Sequence, residues 1–345
     1  SPHPDAHARL FTLVAVSASP DELARARGAL PAVVSRYPSR TITVTCYPGE
    51  TPSIEARATL HVDTKRGNDP VGDDIDLDVR GDARAWVPAT LGRLRAEDVP
   101  CYVWWVGDLP DDDRLFDHLL EMADVAVVNT SDMDLRDLEA LARLIVLTQD
   151  AAVLSDLTWV RLRAWQEFTA RFFDEPAARA HLASLREVTV RLCPRERELE
   201  ATSTQAALFA AWLAVTLNWN LSTVTWSGDG PTRVVTVRDA KGADVIVRFT
   251  TLDRPGVYPG AIDGVTLVAD GARFSVCRSE EDPYVLCWES VAPEVSVPAQ
   301  CVRIGAPEEP KMLVRALERP RRDALFERAI AAAATLVNPV AARKM

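Results

Sequence analysis

Leu10 to Val16 is one continuous apolar run, LFTLVAV. It stops at Ser19-Pro20-Asp21-Glu22, a cap, a first-turn proline and two early acids leading a helical stretch to Ser35. The pattern reads as strand, then helix. From Thr41 to Tyr47, Ile42, Val44 and Cys46 alternate with threonines at the period of a strand. A hairpin-like pair follows, Ile54 to Val62 and Ile75 to Val79, and then a helix from about Arg84 to Arg95. Next come a strand from Cys101 to Val106, a helix opened by the acidic cluster Asp111 to Asp113, a buried strand from Asp124 to Val128, and a helix from about Leu135 to Leu147. Strands alternating with amphipathic helices predict a layered α/β domain with a largely parallel sheet, to which the hairpin adds antiparallel strands. We place its end at Gln149, so that it spans residues 1–149.

The second half changes character. Helices at about 158–173 and 196–218 flank a strand from Val188 to Leu192, after which short strands dominate. They run from Leu221 to Trp226, Thr232 to Arg238, Val245 to Thr250, Val265 to Ala269, Ala272 to Cys277, Tyr284 to Trp288 and Val295 to Ile304. Turn signals punctuate them at Ser227-Gly228-Asp229-Gly230, Ala240-Lys241-Gly242, Asp263-Gly264 and Asp270-Gly271. The expectation for residues 150–345 is an α+β domain, an antiparallel sheet covered by helices. Two terminal helices, Glu309 to Leu317 and Asp323 to Leu336, place Met312, Leu313, Ala316 and Leu317, then Leu325, Phe326, Ala329 and Ile330, at core-facing spacing.

Composition narrows the function classes. A chain of 345 residues, 48% hydrophobic and 26% charged, suits two globular cores. A net charge of -11 and a pI near 5.1 oppose docking on a phosphate backbone, so neither nucleic acid nor anionic membrane is an expected partner. No apolar run reaches the roughly 18 residues that span a bilayer, and SPHPDAHARL lacks the regions of a signal peptide. A cytoplasmic address is expected. The six cysteines, Cys46, Cys101, Cys193, Cys277, Cys287 and Cys301, show no metal or redox spacing and read as buried thiols. The sharper alternative is a reversible disulfide between Cys277 and Cys287 on neighbouring strands.

Dinucleotide folds grip pyrophosphate through glycines between the first strand and helix. Here that turn reads SASPDE, without a glycine and with acids that repel phosphate. The fold class expected is therefore a Rossmann-like layered sheet without a dinucleotide fingerprint, and no cofactor is assigned. Asp74, Asp76 and Asp78 share one strand face and read as solvated, because a calcium loop would need a glycine and distal glutamate where Val79 and Ala85 stand. The histidines at 3, 7, 61, 118 and 181 lack metal spacing, and no Gly-x-Ser-x-Gly elbow occurs. No catalytic or metal-ligating residue is assigned.

Three segments set aromatic residues beside charged ones beyond the needs of a minimal core. Tyr37-Pro38-Ser39-Arg40 leads into the second strand. Val99-Pro100-Cys101-Tyr102-Val103-Trp104-Trp105-Val106-Gly107-Asp108 is a strand whose adjacent tryptophans, Trp104 and Trp105, point to opposite faces, where helices covering both sides of the sheet would bury both rings. Asp156 to Phe168, DLTWVRLRAWQEF, sets Trp159, Leu162 and Trp165 near one side of a helix that Asp156 or Thr158 could cap, with Arg161 and Arg163 elsewhere. Together the Pro-Ser-Arg turn, the Pro-x-x-x-Trp-Trp-x-Gly strand and the Asp-Leu-x-Trp-x-Arg-Leu-x-x-Trp helix resemble the OpcA family of glucose-6-phosphate dehydrogenase assembly proteins. The helix Ala207 to Ala214, with Trp212 and Trp219, is similar to the family's small-residue and tryptophan helix. Tyr37 stands where the family usually has histidine, Val106 where arginine is common, and Ala164 where proline is common. Relatives often carry a further segment before the first strand.

The resemblance implies a non-catalytic partner that binds glucose-6-phosphate dehydrogenase and favours its active assembly in the oxidative pentose phosphate pathway. Ser39, Arg40, Trp104, Trp105, Asp156, Trp159, Arg161, Arg163 and Trp165 are the candidate partner-binding residues, since Trp and Arg most often carry interface energy. Two rivals stand beside this reading. One is an enzyme or sensor taking a sugar phosphate or nucleotide near Trp105 and Gly107, where strand ends face the crevice; the other is a scaffold for a different enzyme.

Overall fold

The computed structural model describes residues 10–337 apart from 64–68, 111–112, 149–151, 195–201, 228–231, 294–296, 307 and 319–320. His3, His7, Asp111, the Gly228-Asp229-Gly230 turn, the lead of the helix expected from 196 and the boundary at Gln149 lie outside the described residues. The chain forms two compact units. One comprises Ser1–Met133, Leu144–Val160 and Pro307–Arg322, the other Asp134–Arg143, Arg161–Ala306 and Asp323–Met345.

In the first unit, β1 (Thr12–Ser17) leads through α1 (Pro20–Arg27) and α2 (Leu30–Arg36) to β2 (Ser39–Tyr47). Then follow β3 (Ser53–Asp63), β4 (Asp69–Arg80), α3 (Val87–Leu94), β5 (Cys101–Trp105), α4 (Arg114–Met122) and β6 (Val125–Val128). The helix α5 (Asp137–Thr148), of which residues up to Arg143 are counted with the second unit, and the strand β7 (Val153–Asp156) complete the run, and α6 (Leu157–Arg171) continues from β7 and passes into the second unit at Arg161. The sheet order is β3-β4-β2-β1-β5-β6-β7, parallel except where β3 meets β4. Every residue of β1 is buried, which is why its sequence shows no alternation. Strand order reverses between β1 and β5, the place where open α/β sheets leave a crevice.

The single helix expected up to Ser35 is broken into α1 and α2, because Pro31 has no N–H to give and its ring would press on a helical carbonyl four residues back. Pro88 acts similarly: the helix expected from Arg84 is a 3-10 turn, Gly81–Trp86, followed by α3. The short β7 escaped sequence reading, since four residues carry too little period to register. Ile75, Leu77 and Val79 are buried as expected, while Asp74, Asp76 and Asp78 are half-buried.

The second unit continues through α7 (Pro176–Arg179), β8 (Leu185–Leu192), α8 (Thr204–Thr216), β9 (Asn220–Ser227), β10 (Thr232–Arg238), β11 (Asp244–Thr251), β12 (Ile262–Ala269), β13 (Ala272–Arg278), β14 (Val285–Val291) and β15 (Val297–Arg303). The helix α9 (Glu309–Glu318) belongs to the first unit, and α10 (Ala324–Val337), of the second, closes the described chain. The eight strands run β15-β14-β13-β12-β8-β11-β10-β9, antiparallel except between β8 and β11. The helix α8 is apolar and buried from Thr204 to Ala214, and α10 packs on it.

Two sequence expectations are corrected here. Asp263-Gly264 is no turn but lies inside β12, because Asp263 is wholly buried between two arginines. A Cβ at Gly264 would stand 2.9 Å from Nη2 of Arg191. Cys277 and Cys287 do face each other on neighbouring strands, yet the disulfide joins Cys287 to Cys301, the cross-strand partner on β15. Cys46, Cys101 and Cys193 are buried thiols and Cys277 is a half-buried one.

Candidate functional site

The candidates divide by depth. Ser39 opens β2 fully buried, its neighbour Gly72 lying in register with it. Arg40 is held inside its own unit: Nε donates to Asp73 at 2.8 Å and Nη1 to the Leu94 carbonyl at 2.6 Å. Trp104 is 1% exposed in the core with Phe11, Leu13 and Leu157, and Trp105, on the other face, meets Phe116 edge-on at 4.8 Å and donates to the Asp108 carbonyl. The two tryptophans thus serve opposite faces of β5, as their adjacency requires.

Asp156 ends β7 and caps α6. Its carboxylate accepts from the Thr130 amide (2.9 Å) and hydroxyl (2.8 Å) and from the amides of Thr158 (3.0 Å) and Trp159 (3.1 Å). Burial pushes this carboxyl above its ordinary range while the four donors pull it back. Trp159 is buried on the first turn of α6. In the second unit, along the same helix, Arg161 is half-buried over the Tyr258 ring (5.6 Å), Trp165 is buried with the Arg278 guanidinium 5.5 Å from its ring centre, and Arg163 is exposed.

A cluster that sequence reading missed lies around Asp263 and reaches Trp165 through Arg278. Asp263 accepts from Arg254 Nη1 at 2.6 Å and from Arg191 Nε at 2.7 Å. Arg278, buried, donates to the carbonyls of Ile262 and Pro283, and desolvation lowers its affinity for its proton. The Tyr258 hydroxyl donates to Gln205 Oε1 at 3.2 Å, an atom that also accepts from the Ile262 amide. These residues are scattered from 191 to 278, so no spacing in the sequence announces them.

The crevice between β1 and β5 is also polar. Ser17 Oγ donates to Glu22 Oε2 at 3.1 Å, and the same carboxylate lies against Gly107. Arg25 pairs with Asp132 at 2.7 Å, Asn129 donates to Asp132, and Glu309 lies within 3.9 Å of Arg25. Beside α4 a cavity of about 600 Å³ is lined by Asp82, Arg84, Pro88, Asp113, Arg114 and His118. Asp74, Asp76 and Asp78 are engaged by Thr41 and His61, by Thr43 and Arg27, and by Arg57 respectively. Among the described residues, no group of three His, Cys, Asp or Glu could hold a metal ion.

Two family models match the chain in order. Residues 31–144 match the glucose-6-phosphate dehydrogenase subunit N-terminal domain, and residues 152–330, more than half of the chain, match the corresponding C-terminal domain. The chain belongs to the OpcA family. Curated OpcA relatives, whose names include "OxPP cycle protein OpcA", agree with this. The Synechocystis protein is 29% identical over 145 residues, covering 42% of this chain and 29% of its own length. That of Synechococcus elongatus is 26% identical over 260 residues, covering 72% and 56%. The chain thus spans less than two thirds of the length of these OpcA proteins.

Solved structures with the same fold include KijD10, a 3-ketoreductase from Actinomadura kijaniata in complex with TDP-benzene and NADP. It has a TM-score of 0.54 at 11% identity, covering 95% of each chain. The transcriptional regulator Gal80p from Kluyveromyces lactis has a TM-score of 0.53 at 10% identity, covering 96% of this chain and 91% of its own. These establish a Rossmann-like fold for the OpcA chain. A dinucleotide does not fit the residues that this chain places in the crevice, because the carboxylate of Glu22 stands beside Gly107 where a phosphate would need donors.

Proposed function

We propose that this chain is a non-catalytic accessory protein of glucose-6-phosphate dehydrogenase, which binds the enzyme in the cytoplasm and favours its active assembly. The observation that carries this reading is the ordered match of both halves to domains described as subunits of that enzyme. Supporting it, Asp156 and Asp263, the most buried carboxylates among the described residues, accept from structural donors, as expected of groups that hold a scaffold.

A binder that prefers the active conformer shifts the enzyme's population by that difference in affinity, and by linkage it binds better when substrate is present. Arg163, exposed on α6, is the candidate for direct contact. The buried Trp104, Trp105, Trp159 and Trp165, with Ser39, Arg40, Asp156 and Arg161, act by holding β2, β5 and α6 in shape. The rival ligand site at Trp105 and Gly107 has Glu22 against it.

The test is kinetic. Initial rates of the dehydrogenase from the same source are recorded across glucose 6-phosphate concentrations with and without this protein. A saturable rise in rate or fall in apparent KM supports the proposal. Unchanged rates, together with no complex in sedimentation at micromolar concentrations, overturn it.

A further inference from the structure

We infer that the crevice between β1 and β5 is filled from within by the side chain of Glu22, and that this protein binds no nicotinamide dinucleotide there. The inference stands apart from the accessory role, since a partner of a dehydrogenase could bind the coenzyme or not.

A dinucleotide's pyrophosphate rests on free amides at the helix that follows the first strand. Here Pro20 contributes no N–H, and the Glu22 amide is taken by the hydroxyl of Ser19, at 3.4 Å. Asp21 and Glu22 add negative charge to a helix end that would otherwise attract an anion.

Glu22 then reaches across the crevice. Ser17, the last residue of β1, donates to its Oε2, and the carboxylate settles on Gly107, just past β5. Gly107 has a φ of +100, and a Cβ there would lie 2.9 Å from Glu22 Cδ and nearer still to Oε2. In nucleotide-binding crevices a glycine admits phosphate; in this chain the same room admits the protein's own carboxylate. At the end of β2, where an acid would hold a ribose hydroxyl, stands Tyr47, and the nearby Glu50 is paired with Arg80 at 3.0 Å.

Two measurements test the inference on the full chain. Calorimetric titration with NADP+, NADPH and NAD+ to about 1 mM should give no saturable heat, a limit that excludes Kd values in the ordinary coenzyme range. Saturable 1:1 binding that Glu22→Gln strengthens or leaves intact overturns it. The second is a double-variant cycle on thermal stability. Gly107→Ala should lower Tm both through its backbone strain and through collision with Glu22. Adding Glu22→Ala should restore the collision part, so that the double variant melts a few degrees above Gly107→Ala alone. Strictly additive losses would show that the carboxylate does not fill that space, and would overturn the inference whatever the titrations give.

Discussion

Thr130 gives both of its donors to Asp156, the amide to Oδ1 and the hydroxyl to Oδ2. One buried carboxylate thereby ties the turn after β6 to the end of β7 and caps α6.

Replacing Asp156 by alanine removes the cap and leaves buried donors unmatched. A cap is worth about 1 kcal/mol and each stranded donor about 1–3 kcal/mol. We expect a loss of about 2–4 kcal/mol in urea unfolding. An unchanged midpoint would show that the network is dispensable.

Asp263→Ala should be as damaging for a different reason. It leaves Arg254, almost buried, without its carboxylate, and breaking such a pair costs about 3–5 kcal/mol. Arg191 is 41% exposed and can turn to water, so Arg191→Met should cost clearly less. An Arg191→Met loss as large as that of Asp263→Ala would contradict this ranking.

The pH dependence should carry the mark of Cys101. Burial pushes its thiol from 9.0 up to about 11. Between these values the unfolded chain releases the proton and the folded chain keeps it, so stability falls as pH rises through the window. Two pKa units correspond to about 2.7 kcal/mol. The stability difference between the wild type and Cys101→Ala should therefore shrink by that order from pH 9 to 11; a constant difference would contradict it.

Thiol counting tests the strand register. Alkylation in denaturant without reductant should modify four cysteines, and six after reduction, the gain falling on Cys287 and Cys301. Protection of Cys277 in place of Cys301 would return the pairing to the one expected from sequence.

Arg163→Ala should leave Tm unchanged, as exposed sites generally do, within about 0.5 kcal/mol. It should also weaken the effect on glucose-6-phosphate dehydrogenase. Full activation by a normally folded variant would remove Arg163 from the contact surface.

Much of the fold was legible where period and punctuation agree. The LFTLVAV run, the Asp270-Gly271 hairpin and the α9 and α10 stripes each carry their own signal, and the structure places them accordingly. Breaks caused by Pro31 and Pro88 were visible as residues but outweighed by the apolar period around them. The arginines around Asp263 left no local trace, because their contacts join strands far apart in sequence. Asp263-Gly264 misled for the same reason: a turn pair and a buried charge beside a small residue are spelled alike. The Trp-rich segments read as core or as contact surface from sequence alone, and the structure buries their rings.

The first unit recruits Pro307–Arg322 late. Met312, Leu313, Ala316 and Leu317 of α9 sit in its core with Leu30 and Val33 of α2. On a ribosome that emits the chain from its N-terminus, this core must therefore wait, with an apolar surface uncovered, until α9 has been made, long after β7. Synthesis order and folding order are out of step here. A nascent chain stalled before residue 307 should accordingly call on chaperones, although every strand of its first sheet is already in hand.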